Sequence, residues 1–353
     1  MGIFGSWKAK PSNQSQVDAF EIVASQVVDL LATAGVVLDD RNLVLRASPG
    51  AVQFGLVQNG HLVHASMLQL VEECRASEHP VEVEIQIEAG LQQDQLWVNA
   101  KAAKFGDRYV MLLVDDRTEA IRLENTRRDF VANVSHELKT PIGAISLLTE
   151  AIQGAQEDPE TIKKFSGSLQ KESQRLGSLV QELMELSRVQ GANLTETAKE
   201  IDLGAVIGEA VDRNLVLADQ RQVRLLTSNS ESATLLGDYE MLTTAVRNLV
   251  ENAVAYSEPG SQVGIGLKVI DGIAEIAITD SGIGIPEDEQ ERIFERFYRV
   301  DPSRSRVTGG AGLGLSIAKH AATNHRGELR LFSKAGIGST FTLRLPIDKK
   351  ESE

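Results

Sequence analysis

The spacing of apolar residues changes three times along the chain, and each spacing predicts a different kind of structure. Between about Gln26 and Asp116 the apolar runs are short and separated by turn-forming residues. "GVVLDDRNLVLRAS" predicts two strands around an Asp-Asp-Arg-Asn turn. In "VEVEIQIEA", Val81, Val83, Ile85 and Ile87 alternate with Glu82, Glu84, Gln86 and Glu88, as in a strand with one buried and one wet face. "LWVNAKAAKFGDRYVMLLV" predicts a hairpin turning at Gly106-Asp107, and "ASMLQLVEECRAS" a helix before it.

From Thr118 to about Arg188 the spacing becomes helical. Phe130, Val134, Leu138, Ile142, Ile145, Leu148 and Ile152 recur three or four residues apart and draw one apolar stripe. The polar break "GAQEDPE" ends it, and Ile162, Phe165, Leu169, Leu176, Leu179, Leu183 and Leu186 draw a second. Two amphipathic helices with a short connection predict an antiparallel hairpin whose long seam a second copy would cover, making a dimeric four-helix bundle.

"GANLTETAKE" reads as a linker, and from about Ile201 to Pro346 helical and strand patterns mix. The predicted order is helix ("DLGAVIGEAVDRNLVLADQ"), strand ("VRLLTS"), helix ("YEMLTTAVRNLVENAVAY"), two strands ("QVGIGLKVI", "GIAEIAITD"), a glycine-rich loop, a helix and the strand "STFTLRLP". That order predicts an α/β sandwich with helices on one face of a sheet. "DKKESE" is a charged tail.

Composition narrows the function. A chain of 353 residues that is 42% hydrophobic and carries only 9 prolines is globular, with room for two or three domains. A formal charge of -14 argues against a protein that reads duplex DNA, which needs a basic face. One cysteine, Cys74, excludes an internal disulfide framework and fits a reducing compartment. Ala19 to Leu38, the most apolar early stretch, is interrupted by Glu21, Gln26 and Asp29, and "MGIFGSWKAKPSNQSQ" has no signal-peptide pattern. A cytoplasmic protein is therefore expected. His61 and His64 lie three apart, and the ordinary reading is two histidines of a polar loop with no metal.

The first helical stripe carries the most pointed chemistry. His136 is two positions from both Val134 and Leu138, about 200° around the helix at ~100° per residue, so it faces away from the seam. A neutral imidazole there is a nucleophile open to an incoming electrophile, and Glu137 is the candidate to take its other ring proton. Thr140 offers a hydroxyl one turn on, able to hold a water. Pro141 removes an N–H, leaving the Glu137 carbonyl without its helical partner and loosening the helix below the nucleophile.

The last region carries groups for a phosphate donor. Asn248 and Asn252 are four apart in "RNLVENAVAYS" and share a helix face, where two amide oxygens suit a hydrated Mg²⁺ among phosphates; Tyr256 continues that face with a ring for stacking. In "DSGIGIP", Asp280 ends a strand and can accept a hydrogen bond from an amino group, while Gly282 and Gly284 let backbone approach a ligand. "TGGAGLGLSIAKH" sets Gly309, Gly310, Gly312 and Gly314 before a helix, so free N–H groups can cradle phosphate. No GxxxxGK[ST] stretch is present, which excludes a P-loop.

Taken together, "FVANVSHELKTP" resembles the phosphoacceptor box of sensor histidine kinases, and the order NxxxN, DxGxG, "ERIFERFYR", GGxGLGL, "GIGSTFTL" resembles the Bergerat ATP-binding fold of histidine kinases, gyrase-type and chaperone ATPases. The resemblance implies that His136 is phosphorylated from Mg²⁺-ATP, that Glu137 assists and that Thr140 positions water for dephosphorylation of a partner response regulator. It also implies that Asp280 reads adenine, that Asn248 and Asn252 serve Mg²⁺, that Thr340 lies near adenine and that Tyr298 to Gly312 forms a lid. Where many relatives carry a lysine this chain has Ala255, with Arg304 or Arg306 as replacement cations. The first region resembles a PAS sensor domain in architecture and position.

The expected organisation is multidomain α+β: an N-terminal segment (1–25), a PAS-like sensor (26–118), a dimerisation and phosphotransfer hairpin (119–190), a linker (191–200), an ATP-binding domain (201–347) and a tail (348–353). Within the family the motifs are most similar to actinobacterial phosphate-sensing kinases, which pair with a winged-helix response regulator and usually begin with membrane segments. A kinase-weak adaptor that mainly removes phosphate is the alternative. A chaperone or topoisomerase-type ATPase would leave His136 and the hairpin unexplained.

Overall fold

The computed structural model describes residues 33–89, 94–106, 108–155, 158–191, 198–229, 231–300 and 310–347. The segments 1–25 and 348–353, the turn residue Asp107, the cations Arg304 and Arg306, Gly309 and most of the expected lid lie outside them. The chain divides into two compact units, 1–129 and 130–353.

The first unit holds β1 (Ala34–Leu38), β2 (Val44–Ala47), α1 (Pro49–Gln53), β3 (Val57–Gln58), β4 (His61–Leu62), α2 (Ala65–Ala76), β5 (Val81–Ala89), β6 (Asp94–Phe105) and β7 (Tyr109–Asp116). Five strands form one antiparallel sheet in the order β2-β1-β7-β6-β5, while β3 and β4 pair with each other. The five strands of the sheet, the β6-β7 hairpin and α2 fall where the apolar spacing predicts them, while β3, β4 and the short α1 are additions. In β5, Val81, Val83, Ile85 and Ile87 face inward while their glutamate and glutamine neighbours are exposed. Met67, Leu70, Val71 and Cys74 of α2 close the core over Val36, Leu38, Val98 and Leu112. Ser48 is buried and caps α1, its hydroxyl accepting from Gly35 N at 2.9 Å and from Ala51 N at 3.3 Å. His61 is exposed and His64 half-buried at the start of α2; burial lowers the His64 pKa from its ordinary value.

Helix α3 (Thr118–Gly154) begins where the first unit's sheet ends. Thr118 ties that start down: its N–H donates to Asp116 Oδ1 at 2.8 Å and its hydroxyl accepts from Trp97 N at 2.9 Å. The helix runs unbroken through Pro141, which is buried in a small recess beside Arg175 and Leu179. Ile142, which the spacing assigned to the buried stripe, is instead 51% exposed. Helix α4 (Pro159–Gly191) returns as the second arm of the hairpin. Along both arms Val134, Leu138, Ile145, Leu148, Ile162, Phe165, Leu169 and Leu176 are only half-buried, and Leu147 and Met184 are more than 60% exposed, at 68% and 64%. One chain therefore leaves much of the seam open. Towards its end α4 changes partner, and Leu179, Leu186 and Val189 enter the core of the last domain.

That domain contains β8 (Lys199–Asp202), α5 (Leu203–Arg221), β9 (Arg224–Asn229), β10 (Thr234–Gly237), α6 (Tyr239–Tyr256), β11 (Gln262–Ile270), β12 (Ile273–Thr279), α7 (Gly314–Asn324), β13 (Glu328–Lys334) and β14 (Gly338–Pro346). The main sheet runs β13-β14-β12-β11-β9, antiparallel except for the parallel pair β9 and β11. Its inner face, with Val263, Ile265, Leu267, Ile276, Ile278 and Leu343, packs against Ile207, Leu242, Leu249, Ile317 and Ala321 of the helices. This is the expected sandwich of helices on one sheet face. Three strands are additions to the predicted order: β8 and β10, which pair with each other, and β13, the edge strand. Asp202 and Asp238 cap α5 and α6 by accepting from Gly204 N and Met241 N, each at 2.9 Å.

Candidate active site

His136 is exposed on α3, as its angular offset from the stripe requires. Glu137 turns across the hairpin, where its carboxylate meets the Arg175 guanidinium at 3.9 Å. The Thr140 hydroxyl donates to the main-chain carbonyl of His136 at 3.2 Å, which fixes the rotamer and leaves the oxygen lone pairs as acceptors. Glu137 and Thr140, one residue and one turn from His136, are thus each held by another partner.

A cleft of ≈ 930 Å³ lies in the same unit. The buried face of α6 (Leu242, Ala245, Val246, Leu249 and Val250) fixes the helix against the sheet, and this aims Asn248, Asn252, Ala255 and Tyr256 into the cleft. Asn248 is buried; its Nδ2 donates to Gly314 O at 3.5 Å and its Oδ1 accepts from Arg247 Nη2 at 3.0 Å. Asn252 is half-buried, and Tyr256 exposes its ring at the rim.

Asp280 sits at the end of β12, buried, with Oδ1 accepting from Gly282 N at 2.8 Å and Ser339 N at 3.2 Å. Burial raises its pKa from the ordinary value, and the two N–H bonds pull the other way. The backbone then turns through Gly284 at φ +63, so close to Lys334 that a Cβ would strike the Lys334 carbonyl. Gly312, at φ +79, fits less tightly, with a Cβ 3.0 Å from the backbone of Phe297 and Tyr298.

Gly310, Gly312 and Gly314 line the opposite wall and lead into α7, whose N-cap Leu313 has no side chain to accept from the first turn. That helix start presents N–H groups to an anion. Tyr298 and Arg299 line the wall beside it; the Tyr298 hydroxyl donates to Glu289 and Arg292 stacks over its ring at 4.3 Å.

Thr340 falls on the other side of the sheet. Its hydroxyl meets that of its cross-strand neighbour Thr279 at 3.0 Å, whereas Ser339 and Phe341 line the cleft. Residues alternate faces along a strand, so placing the cleft-facing hydroxyl one position late reverses its side. Ser339, whose N–H reaches Asp280, occupies the place expected of Thr340.

Three further residues line the cleft that the sequence does not single out: Arg247 and Arg299, which sit inside the stretches "RNLVENAVAYS" and "ERIFERFYR", and Glu182, which lies in none. Arg247 and Arg299 bring positive charge to it where Ala255 brings none. Glu182 comes from α4, and its carboxylate accepts from Ala311 N with oxygens at 3.3 and 3.4 Å. Burial pushes the Glu182 carboxyl up to about 7, helped by Glu251 and Glu185 and opposed by the Ala311 N–H and Arg299.

Among the described residues no cluster of three or more His, Cys, Asp or Glu could hold a metal alone. Two neutral amide oxygens beside a helix start suit an ion that arrives with phosphates and keeps part of its water, as Mg²⁺ does.

Residues 126–192 match the family described as His Kinase A (phospho-acceptor) domain, and residues 237–349 the family of histidine kinase-, DNA gyrase B- and HSP90-like ATPases. The chain is 51% identical over 239 residues to the sensor-like histidine kinase SenX3 of Mycolicibacterium smegmatis, covering 68% of this chain and 62% of that one. To SenX3 of Mycobacterium tuberculosis it is 40% identical over 323 residues, covering 91% of this chain and 79% of that one. The crystal structure of the histidine kinase ThkA in complex with the response regulator protein TrrA is similar in fold, with TM-score 0.51, 19% identity and coverage of 93% and 99%.

The chain belongs to the sensor histidine kinases, ATP-dependent protein-histidine kinases of two-component signalling. Its last domain is an ATP-binding domain of the gyrase and HSP90 type.

Proposed function

We propose that this chain autophosphorylates His136 from Mg²⁺-ATP and passes the phosphoryl group to an aspartate of a response regulator of the winged-helix type. The observation that carries the reading is the pairing, within one unit, of an exposed histidine on α3, with Glu137 and Thr140 near it in sequence, and a cleft that holds a buried carboxylate and an open helix start.

In this reading the exocyclic amine of adenine donates to Asp280, which Gly282 N and Ser339 N keep oriented, and Tyr256 covers the ring. The phosphates meet the N–H groups of Gly310 to Gly314 with Arg247 and Arg299 near. Asn248 and Asn252 hold Mg²⁺. Held there, Mg²⁺ would supply neutralisation of the charge developing on the phosphates. The imidazole nitrogen of His136 forms the P–N bond as the bond to the β-phosphate oxygen breaks, and Glu137 takes the proton from the other ring nitrogen. Transfer to the regulator reverses this at an aspartate, and a water held by Thr140 hydrolyses the regulator's phosphate.

The proposal assigns residues 26–118 to a PAS-like sensor with phosphate availability as its input, 119–190 to dimerisation and phosphotransfer, and 201–347 to ATP binding. A second copy of the chain covers the half-buried seam of α3 and α4, giving a four-helix bundle. Among the described residues no helix is long and apolar enough to cross a membrane; a cytoplasmic location for this part of the protein is part of the proposal.

The test uses γ-labelled Mg²⁺-ATP. The protein takes up label and yields it to a receiver domain, and Asp280→Asn takes up none, because the amide would turn N–H groups or a weaker acceptor towards donors. Full labelling of Asp280→Asn would contradict the adenine assignment.

A further inference from the structure

The nucleotide cleft is walled on one side by the hairpin's second arm. Gly177, Ser178, Gln181, Glu182 and Glu185 of α4 line it, while His136 of α3 does not. Two of those residues engage groups that the proposed function gives to nucleotide. Glu182 lies on the Ala311 N–H of the glycine-rich stretch, at 3.3 and 3.4 Å. Glu185 accepts from Arg247 Nη2 at 2.7 Å, and the same nitrogen donates to Asn248 Oδ1 at 3.0 Å. One turn further on, Asn324 Nδ2 of α7 donates to the carbonyl of Val189 at 2.7 Å. Residues 182, 185 and 189 share one helix face, so these contacts form or break together.

We propose that α4 is a built-in brake on nucleotide loading: Glu182 stands in for a phosphate at the Ala311 N–H, and Glu185 draws Arg247 onto the amide oxygen of Asn248, so ATP enters only when this face of the helix lets go. The inference rests on the ATP-site reading above and adds its regulation.

The chemistry of the contact fits a releasable stop. A carboxylate is the protein group most like a phosphate oxygen pair, and the start of α7 would bind either. Arg247 keeps its Nε buried without a partner among the described residues, so the docked arrangement leaves a donor unsatisfied that an incoming phosphate could take. Burial pushes Glu182 up to about 7, with Glu251 and Glu185 on the same side of the balance and Arg299 opposing, so the carboxyl is held at a cost that undocking relieves. Reaching His136 also demands release, because the arm that walls the cleft is not the arm that carries the acceptor.

Binding of a fluorescent ATP analogue to the full chain, with Mg²⁺ present, tests this in two variants. Glu182→Ala combined with Glu185→Ala removes both stand-ins, and Asn324→Ala loosens the same face without touching the cleft. Both are expected to bind about tenfold more tightly than the wild type, within the usual range of coupling between docked elements and ligand. Tighter binding by the glutamate variant alone would reduce the effect to charge repulsion and overturn the brake. Unchanged or weaker binding by both would overturn it as well, while leaving the nucleotide site in place. Binding by none of the three proteins would remove the ATP reading and the brake together.

Discussion

Glu137, next to the exposed His136 on the first arm of the hairpin, meets Arg175 on the second arm at 3.9 Å. The residue expected to serve the imidazole is thus positioned by an ion pair between residues 38 apart in sequence. If Glu137 takes the ring proton, Glu137→Gln slows autophosphorylation by roughly 10²-fold, the lower range for a lost general base. The affinity for nucleotide stays unchanged, because Glu137 does not line the cleft. Single-turnover labelling with a parallel binding titration separates the two; a drop in affinity at constant rate would contradict this role.

Thr140 donates to the His136 carbonyl and keeps its oxygen open to a water. Thr140→Ala is expected to keep autophosphorylation and to lose regulator dephosphorylation by roughly tenfold, about the worth of one hydrogen bond. Release of phosphate from a phosphorylated receiver domain measures it. Equal loss in both reactions would mean that Thr140 supports the helix and not a water.

Gly284 and Gly310 differ in what a side chain would meet. Gly284→Ala puts a Cβ into the Lys334 carbonyl at positive φ, whereas a Cβ on Gly310 meets nothing within 4 Å. Thermal unfolding should show Gly284→Ala destabilised by about 1–3 kcal/mol and Gly310→Ala close to wild type. Equal stability of the two would contradict the close approach of the loop to the β13-β14 turn.

His325 joins two helices that carry the cleft. Its Nε2 accepts from Asp238 N, at the cap of α6, at 3.0 Å, and its Nδ1 donates to Ala321 O at 2.7 Å, which fixes the neutral tautomer. Burial lowers its pKa from the ordinary 6.5, opposed by the Ala321 bond and Asp238. On acidification below 6.5 the unfolded chain takes up this proton first, so stability falls with pH until the folded group titrates too. Melting temperature should drop between pH 7.5 and 5.5, and His325→Gln should shrink that drop by on the order of 2–4 °C. An undiminished drop in the variant would assign the effect to other groups.

The stripes on α3 and α4, the exposure of His136 and the asparagine and glycine positions around the cleft were legible because each follows from a short-range period or a local turn. What escaped has longer range or weaker local signal. Strands β8 and β10 are four residues each and gain their pairing only from one another, and β13, an edge strand that alternates between exposed and half-buried residues, carries only Leu329 and Leu331 as a short apolar signal before Phe332 breaks the pattern. The side of β14 that faces the cleft depends on sheet register, which is why Ser339 and not Thr340 lies beside Asp280. Glu182 and Arg175 become neighbours of the site through tertiary packing alone, and single charged residues on helices give no warning of that; Arg247 is next to Asn248 in sequence, but its ion pair with Glu185 of α4 is equally a product of packing.

His136 is the proposed acceptor for phosphate from the cleft of this protein. Incubation with γ-labelled Mg²⁺-ATP, followed by acid and base treatment, tests it directly. Label that acid removes and base does not is expected in the wild type and not in His136→Ala, although that variant still binds nucleotide. Label that persists in His136→Ala, or ATP hydrolysis with no label on the protein, would contradict it.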